Sequence, residues 1–184
     1  MKIMSTEIEG LFVVETNPNT DYRGSFARLF CKQDLALAIG ERHIVQINQS
    51  RTKKAGMVRG IHFQYPPHAE MKLVRCIKGR LWDLVVDLRA GSPTLLRWHA
   101  EELSPQNARM MIIPEGFAHA YYSFSSLNII YYKLSNYYHP EYEDGIIWND
   151  KSLKNKWPTK TPVVSAKDKK LKTFLSFKKI YKGL

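Results

Sequence analysis

A histidine, a lysine and an arginine crowd into the stretch Gly56–Gly79, GMVRGIHFQYPPHAEMKLVRCIKG. His62 has a side chain that takes and returns protons near neutral pH. Lys72 carries a compact positive charge suited to an oxygen that turns anionic during a reaction. Arg59 presents a planar fork that grips a phosphate or carboxylate through two hydrogen bonds. Joined by a tyrosine as proton donor, this set suits abstraction of a proton next to a carbonyl. The chain has 10 tyrosines, among them Tyr131, Tyr132, Tyr137 and Tyr138, and composition does not choose between them.

Such groups need rigid elements to bring them together. The flanks of the stretch read as strands, so its side chains should project from neighbouring strands into one cavity. On Val58–Gln64 a period of two puts His62 with Val58, Gly60 and Gln64, and turns Arg59 with Ile61 to the other face unless the strand bends. Gly60 invites such a bend. Pro66-Pro67 then separates His62 from Lys72.

Along the rest of the chain, strands are expected over Ile8–Thr16, Ser25–Phe30, His43–Ser50, Leu95–Leu103 and Arg109–Ile113. Lys72–Ile77 with Leu81–Leu88 reads as a hairpin through Lys78-Gly79, and His119–Phe124 with Asn128–Leu134 as another. Asp83 and Asp87 fall on one face of Leu81–Leu88, where they need partners or water. Short helices are expected over Lys32–Ile39, ended by Gly40, and over Leu171–Tyr181. Many short strands with frequent turns predict a mainly β sandwich or barrel. Residues 1–184 read as a single domain, with 151–184 as a lysine-rich helical C-terminal extension.

The chain has 184 residues, 44% of them hydrophobic, enough for a sizeable core. Its two cysteines, Cys31 and Cys76, suggest no disulfide framework and fit no zinc motif. No apolar run approaches a membrane span, and MKIMSTEIEG lacks the apolar core of a signal peptide. A soluble cytoplasmic protein is expected. Of the net charge of +11, residues 151–184 carry +10, with 11 lysines against Asp168. No nucleic-acid motif accompanies this charge, so it reads as a solvated face, with no nucleic-acid or membrane partner.

Two patches resemble the cupin barrel. Metal-binding cupins carry G-x5-H-x-H-x3-4-E-x6-G and, later, P-x-G-x2-H-x3-N. Gly56 and His62 match the first, but Gln64 stands at its second histidine. Pro114–His119 matches the second, after which Ser123 replaces its asparagine. Catalytic metals usually take three protein ligands. His62, Glu70 and His119 are the three available, and the expectation is a barrel with neither metal nor cofactor.

The resemblance then becomes specific. Asp21–Phe26, Gln46–Ser50, Arg59–Gln64, Lys72–Val74, Asp83–Arg89, Gly91–Thr94, Pro114–His119, Tyr132-Lys133, Tyr138, Trp148–Asp150, Trp157-Pro158 and Ser165–Asp168 resemble, in order, the dTDP-4-dehydrorhamnose 3,5-epimerase family of metal-free cupins. The resemblance implies a cupin-type jelly roll and epimerisation at C3, C5 or both of a nucleotide-linked 4-keto-6-deoxy sugar. It implies His62 as base, Asp168 as its dyad partner, Lys72 as the group holding the C4 oxygen, and Tyr132 as the opposed acid. Arg23, Arg59 and Lys167 would anchor the pyrophosphate. Phe26, Arg28, Gln46, Asn48, His119 and Glu143 would make further substrate contacts. Tyr138 resembles an aromatic that stacks on the thymine from a partner subunit, which implies a homodimer. Arg28 stands where the family often has an acid, and Ala120 replaces a usual glycine, which would narrow the pocket. A single-centre epimerase, a ketoisomerase or a non-catalytic sugar-nucleotide-binding cupin fits the same residue set.

Overall fold

The computed structural model describes residues 1–181 and 184; Lys182 and Gly183 of the lysine-rich extension lie outside the described residues. Strands β1 (Lys2–Ser5), β2 (Phe12–Glu15), β5 (Gln46–Thr52), β7 (Lys72–Lys78), β10 (Arg109–Ile113) and β12 (Asn128–Leu134) form one sheet in the order β1-β2-β10-β7-β12-β5. A second sheet joins β6 (Met57–Gln64), β8 (Leu81–Asp87), β9 (Trp98–Leu103), β11 (Phe117–Ser123) and β13 (Glu143–Gly145) in the order β13-β6-β11-β8-β9. The short β14 (Val163–Val164) pairs parallel to β6; the other pairings are antiparallel. The arrangement is the mainly β, cupin-like jelly roll that the strand pattern and the resemblance predict.

Alternation along each strand builds three apolar layers. Between the sheets lie Val13, Val74, Cys76, Met111 and Ile130 of the first and Leu81, Val85, Phe117 and Tyr121 of the second. Outside the first sheet, Leu35, Ala38 and Ile39 around the one-turn helix α1 (Ala36–Ile39) cover Val14, Leu73 and Met110. Outside the second, Phe174 and Phe177 of α2 (Phe174–Ile180) cover Ile61, Phe63 and Ala118. Full burial of such a side chain contributes about 1.5–3 kcal/mol. The lysine-rich segment is thus more than a helical appendage. It holds β14 and packs α2 on the sheet, and its described lysines other than Lys172 are exposed.

Two expected hairpins are not hairpins. β7 and β8 lie in different sheets, as do β11 and β12. Each connection turns a corner from one sheet to the other. Gly79, at φ +88°, sits at one corner where a Cβ would come 2.4 Å from the Leu127 carbonyl oxygen of the other. A period-two pattern is the same for a hairpin and for two strands that change sheet, so the sequence cannot separate them. The strand expected over Ser25–Phe30 is shorter. β3 (Asn19–Asp21) and β4 (Gly24–Phe26) pair only with each other, as an exposed arm. Among the described residues no helix is long and apolar enough to cross a membrane.

Candidate active site

The bend that the sequence allows at Gly60 is a β-bulge. His62 pairs with His119 and Arg59 with Tyr121, so Gly60 and Ile61 stand opposite Ala120 alone. Two residues against one flip the alternation. Arg59 and His62 therefore reach the same side, and both line the cavity between the sheets. Only glycine fits there: at φ +122°, a Cβ on residue 60 would lie 2.4 Å from the Ala120 Cβ and 2.6 Å from the His119 carbonyl oxygen. Ala120 itself belongs to the outer apolar layer of its sheet. It presses against Gly60 and does not narrow the cavity, contrary to expectation.

The cavity measures about 340 Å³. One wall is β6 and β11, bringing Arg59, His62 and His119, with Glu143 from β13 beside them. The opposite wall is β5, β7 and β12, bringing Asn48, Lys72 and Tyr132. Tyr138 lines it from the loop after β12. Of the expected site residues, these eight meet in one space.

Asp168 completes the first wall from behind. Its Oδ1 lies 2.8 Å from His62 Nε2, and its Oδ2 accepts from the Gly60 amide at 3.4 Å. Burial would raise this carboxyl. The His62 hydrogen bond and charge, the Gly60 amide and the Ser165 hydroxyl outweigh burial and hold it below the usual carboxylate range. Asp168 is therefore an anion aimed at an imidazole. His62 Nδ1 makes no hydrogen bond among the described residues, which leaves that nitrogen for a substrate proton.

Beside it stands a second histidine–aspartate pair. His119 Nε2 lies 2.9 Å from Asp83 Oδ1. Asp83 is 0% exposed, and burial pushes its carboxyl up, against the charge and hydrogen bond of His119. Asp87 is held below its ordinary range: burial raises it, but Arg89, Thr94 and Ser92 more than offset that. Both inward acids thus have partners, and Arg59 is not one of them.

On the opposite wall, burial pushes the Tyr132 hydroxyl upward, with the Asn48 hydrogen bond opposing. Tyr132 remains protonated and can donate. Burial pushes the Lys72 ammonium down to about 8, with the Glu143 charge opposing. The Glu70 carboxylate also contacts this ammonium.

Other expected residues sit elsewhere. Gln46 hydrogen-bonds Asn48 Oδ1 and accepts from the Tyr138 amide, both at 3.1 Å. Lys167 pairs with Glu143, which also accepts the Tyr138 hydroxyl at 3.0 Å. Arg23 and Phe26 are on the exposed arm, Phe26 being 74% exposed and Arg23 paired with Asp21 at 2.6 Å. Arg28 pairs with Asp34 at 2.9 Å. None of these three lines the cavity. Tyr138 lines the cavity of its own chain, where the resemblance has a partner subunit supply that aromatic. The three residues weighed as metal ligands are turned apart: His62 to Asp168, His119 to Asp83 and Glu70 to Lys72. Among the described residues no cluster of three or more His, Cys, Asp or Glu could hold a metal ion.

Sequence reasoning missed Ser50, Phe63, Tyr121, Ile130 and Leu134, which also line the cavity. Ser50 was findable, since it follows Gln46 and Asn48 at a period of two. Tyr121 is fixed at its hydroxyl by Ser50 and Thr52, each at 3.0 Å, which only the sheet pairing reveals.

Known proteins resemble this chain in sequence and fold. The model of the dTDP-4-dehydrorhamnose 3,5-epimerase family matches residues 5–176. The chain is 40% identical over 169 residues to the dTDP-4-dehydrorhamnose 3,5-epimerase of Shigella flexneri, covering 91% of this chain and 93% of that protein. It is 35% identical to a dTDP-4-dehydrorhamnose 3-epimerase of Streptomyces niveus, over 91% of this chain and 81% of the relative. Among solved structures, it superposes with a TM-score of 0.89 on the dTDP-6-deoxy-D-glucose-3,5-epimerase of Legionella pneumophila in complex with dTDP-4-keto-L-rhamnose. That match has 37% identity and covers 94% of this chain and 92% of that one.

Proposed function

Because the chain belongs to the dTDP-4-dehydrorhamnose 3,5-epimerase family, we propose that it converts dTDP-4-dehydro-6-deoxyglucose to dTDP-4-dehydrorhamnose by inverting C3 and C5. The observation that carries the mechanism is the opposition of the walls. His62, backed by Asp168, faces Tyr132 and Lys72 across the cavity. Inversion needs a proton removed from one face of a carbon and returned to the other.

The substrate's C4 carbonyl acidifies the C–H bonds on either side of it. His62 Nδ1 takes the proton, and the released pair forms a carbon–carbon double bond as the carbonyl oxygen becomes an enolate. Asp168 stabilises the resulting imidazolium, and the Lys72 ammonium stabilises the enolate. Collapse of the enolate restores the carbonyl while the carbon takes the Tyr132 hydroxyl proton on its opposite face. Exchange with solvent then returns His62 to its neutral form and Tyr132 to its protonated form. Arg59, without an ion pair among the described residues, is available to the diphosphate, and Asn48 and His119 to the sugar hydroxyls.

The test is incubation with dTDP-4-dehydro-6-deoxyglucose in D₂O, reading C3 and C5 by NMR. Deuterium at both is the expected result. Deuterium at one alone would favour the single-centre reading that the Streptomyces niveus relative supports. No deuterium, with folded protein, would sink the epimerase reading.

The working unit in this reading is a homodimer. Arg23 and Phe26 lie outside their own chain's cavity, so substrate contacts through them require a second copy. Mixing Arg23→Ala with His62→Asn protein should then restore activity to about a quarter of the unaltered level, since half the sites in a mixed dimer are intact. Two inactive proteins that stay inactive after mixing would rule out this sharing. The two free cysteines, Cys31 and Cys76, fit a cytoplasmic enzyme.

A further inference from the structure

We infer that Glu70 is a positioning residue, which holds Lys72 charged and aimed into the cavity. The inference rests on the role proposed for Lys72. Glu70 immediately precedes Met71 and β7, and its side chain is 5% exposed. One carboxylate oxygen, Oε1, contacts the Lys72 ammonium. The other, Oε2, accepts from Gln64 Nε2 at 2.7 Å.

Gln64 is itself fastened. Its amide nitrogen lies 2.8 Å from the His68 carbonyl oxygen and 3.1 Å from that of Tyr137, and its oxygen accepts from the His139 amide at 2.6 Å. The Glu70 carboxylate therefore cannot swing toward water. A buried carboxylate is costly unless paired, and Lys72 is its cationic partner.

The remaining groups lining the cavity do not replace it. β6 presents Arg59 and His62, β11 His119 and Tyr121, and β12 Tyr132; the loop after β12 adds Tyr138. The one other carboxylate lining the cavity, Glu143 of β13, is engaged by Lys167 and the Tyr138 hydroxyl. Asp168 is taken by His62, and Asp83 by His119. Glu70 is thus the anion committed to Lys72. An ammonium has three N–H donors, so one spent on Glu70 leaves two for an enolate oxygen.

Burial pushes this ammonium down to about 8, with the Glu143 charge opposing. A committed second carboxylate favours the charged form and moves its deprotonation to higher pH. An electrophile that must keep its proton fails as pH rises through its pKa, so Glu70 extends activity on the alkaline side.

The test follows the Lys72 side-chain nitrogen by NMR against pH, in the unaltered protein and in Glu70→Gln. The expected midpoint in Glu70→Gln lies at least about one unit below that of the unaltered protein. Turnover by Glu70→Gln should then fall about fivefold more at pH 9 than at pH 7, with Glu70→Asp restoring part of the alkaline activity. Equal midpoints, or an equal loss at every pH, would overturn the inference in favour of a packing role. If Glu70→Gln does not fold, Glu70→Asp decides: a Lys72 midpoint equal to that of the unaltered protein refutes the role. Full turnover by Lys72→Met would sink the enolate role of Lys72 and leave the titration result standing.

Discussion

His62→Asn is expected to lower turnover by about 10²–10⁴-fold and to abolish deuterium uptake at both C3 and C5. The size of the effect follows from the removal of the base that the proposed mechanism uses. Asp168 stays where it is, because the Gly60 amide still donates to its carboxylate and its own backbone amide still donates to the Ser165 hydroxyl. Its carboxylate sits behind the imidazole, not in the cavity lining. Asparagine can keep a hydrogen bond to Asp168, so the wall keeps its shape and unfolding temperature should change little. The measurement is solvent-deuterium exchange beside circular dichroism. A folded variant that exchanges at the unaltered rate would show that another group removes the proton.

Tyr132→Phe gives the second large effect, and a different one. The change removes one hydroxyl and leaves the ring packed against the inner apolar layer, where Tyr132 is half-buried. Inverted product should fall by about 10²–10⁴-fold. His62 and Lys72 remain, so the enolate still forms and recaptures a proton from the His62 side. The expected result is deuterium incorporation with retained configuration, seen as exchange without inversion by NMR. Inverted product at the unaltered rate would assign the acid to another group.

The contrast between these variants turns on information that the sequence carried unevenly. His62 and Lys72 were legible because both fall in one strand-flanked stretch whose side chains should project into a single cavity, whereas Asn48 came with the resemblance. Arg59 was legible only conditionally, since a period of two sends it away from His62. The bulge opposite Ala120 brings it back, and a bulge depends on the partner strand, not on local residue order. The same lack of partner information made β7 with β8 read as a hairpin. Asp168 shows the limit most clearly. Among lysines it looks like a surface acid, and 106 residues separate it from His62. Only the resemblance pointed to it. Arg23 and Phe26 mark the opposite limit: their motif matches, yet their own fold carries them on an exposed arm.

The bond between His62 and Asp168 also has a consequence in time. A ribosome makes the cavity walls first, since every strand from β1 to β13 precedes β14. Asp168 follows on the segment that β14 moors to β6 and that α2 fastens to the outside of the sheet. While the nascent chain is shorter than this, the imidazole lacks its carboxylate. In the proposed mechanism, the base therefore lacks its partner until the segment after β13 has been made and docked.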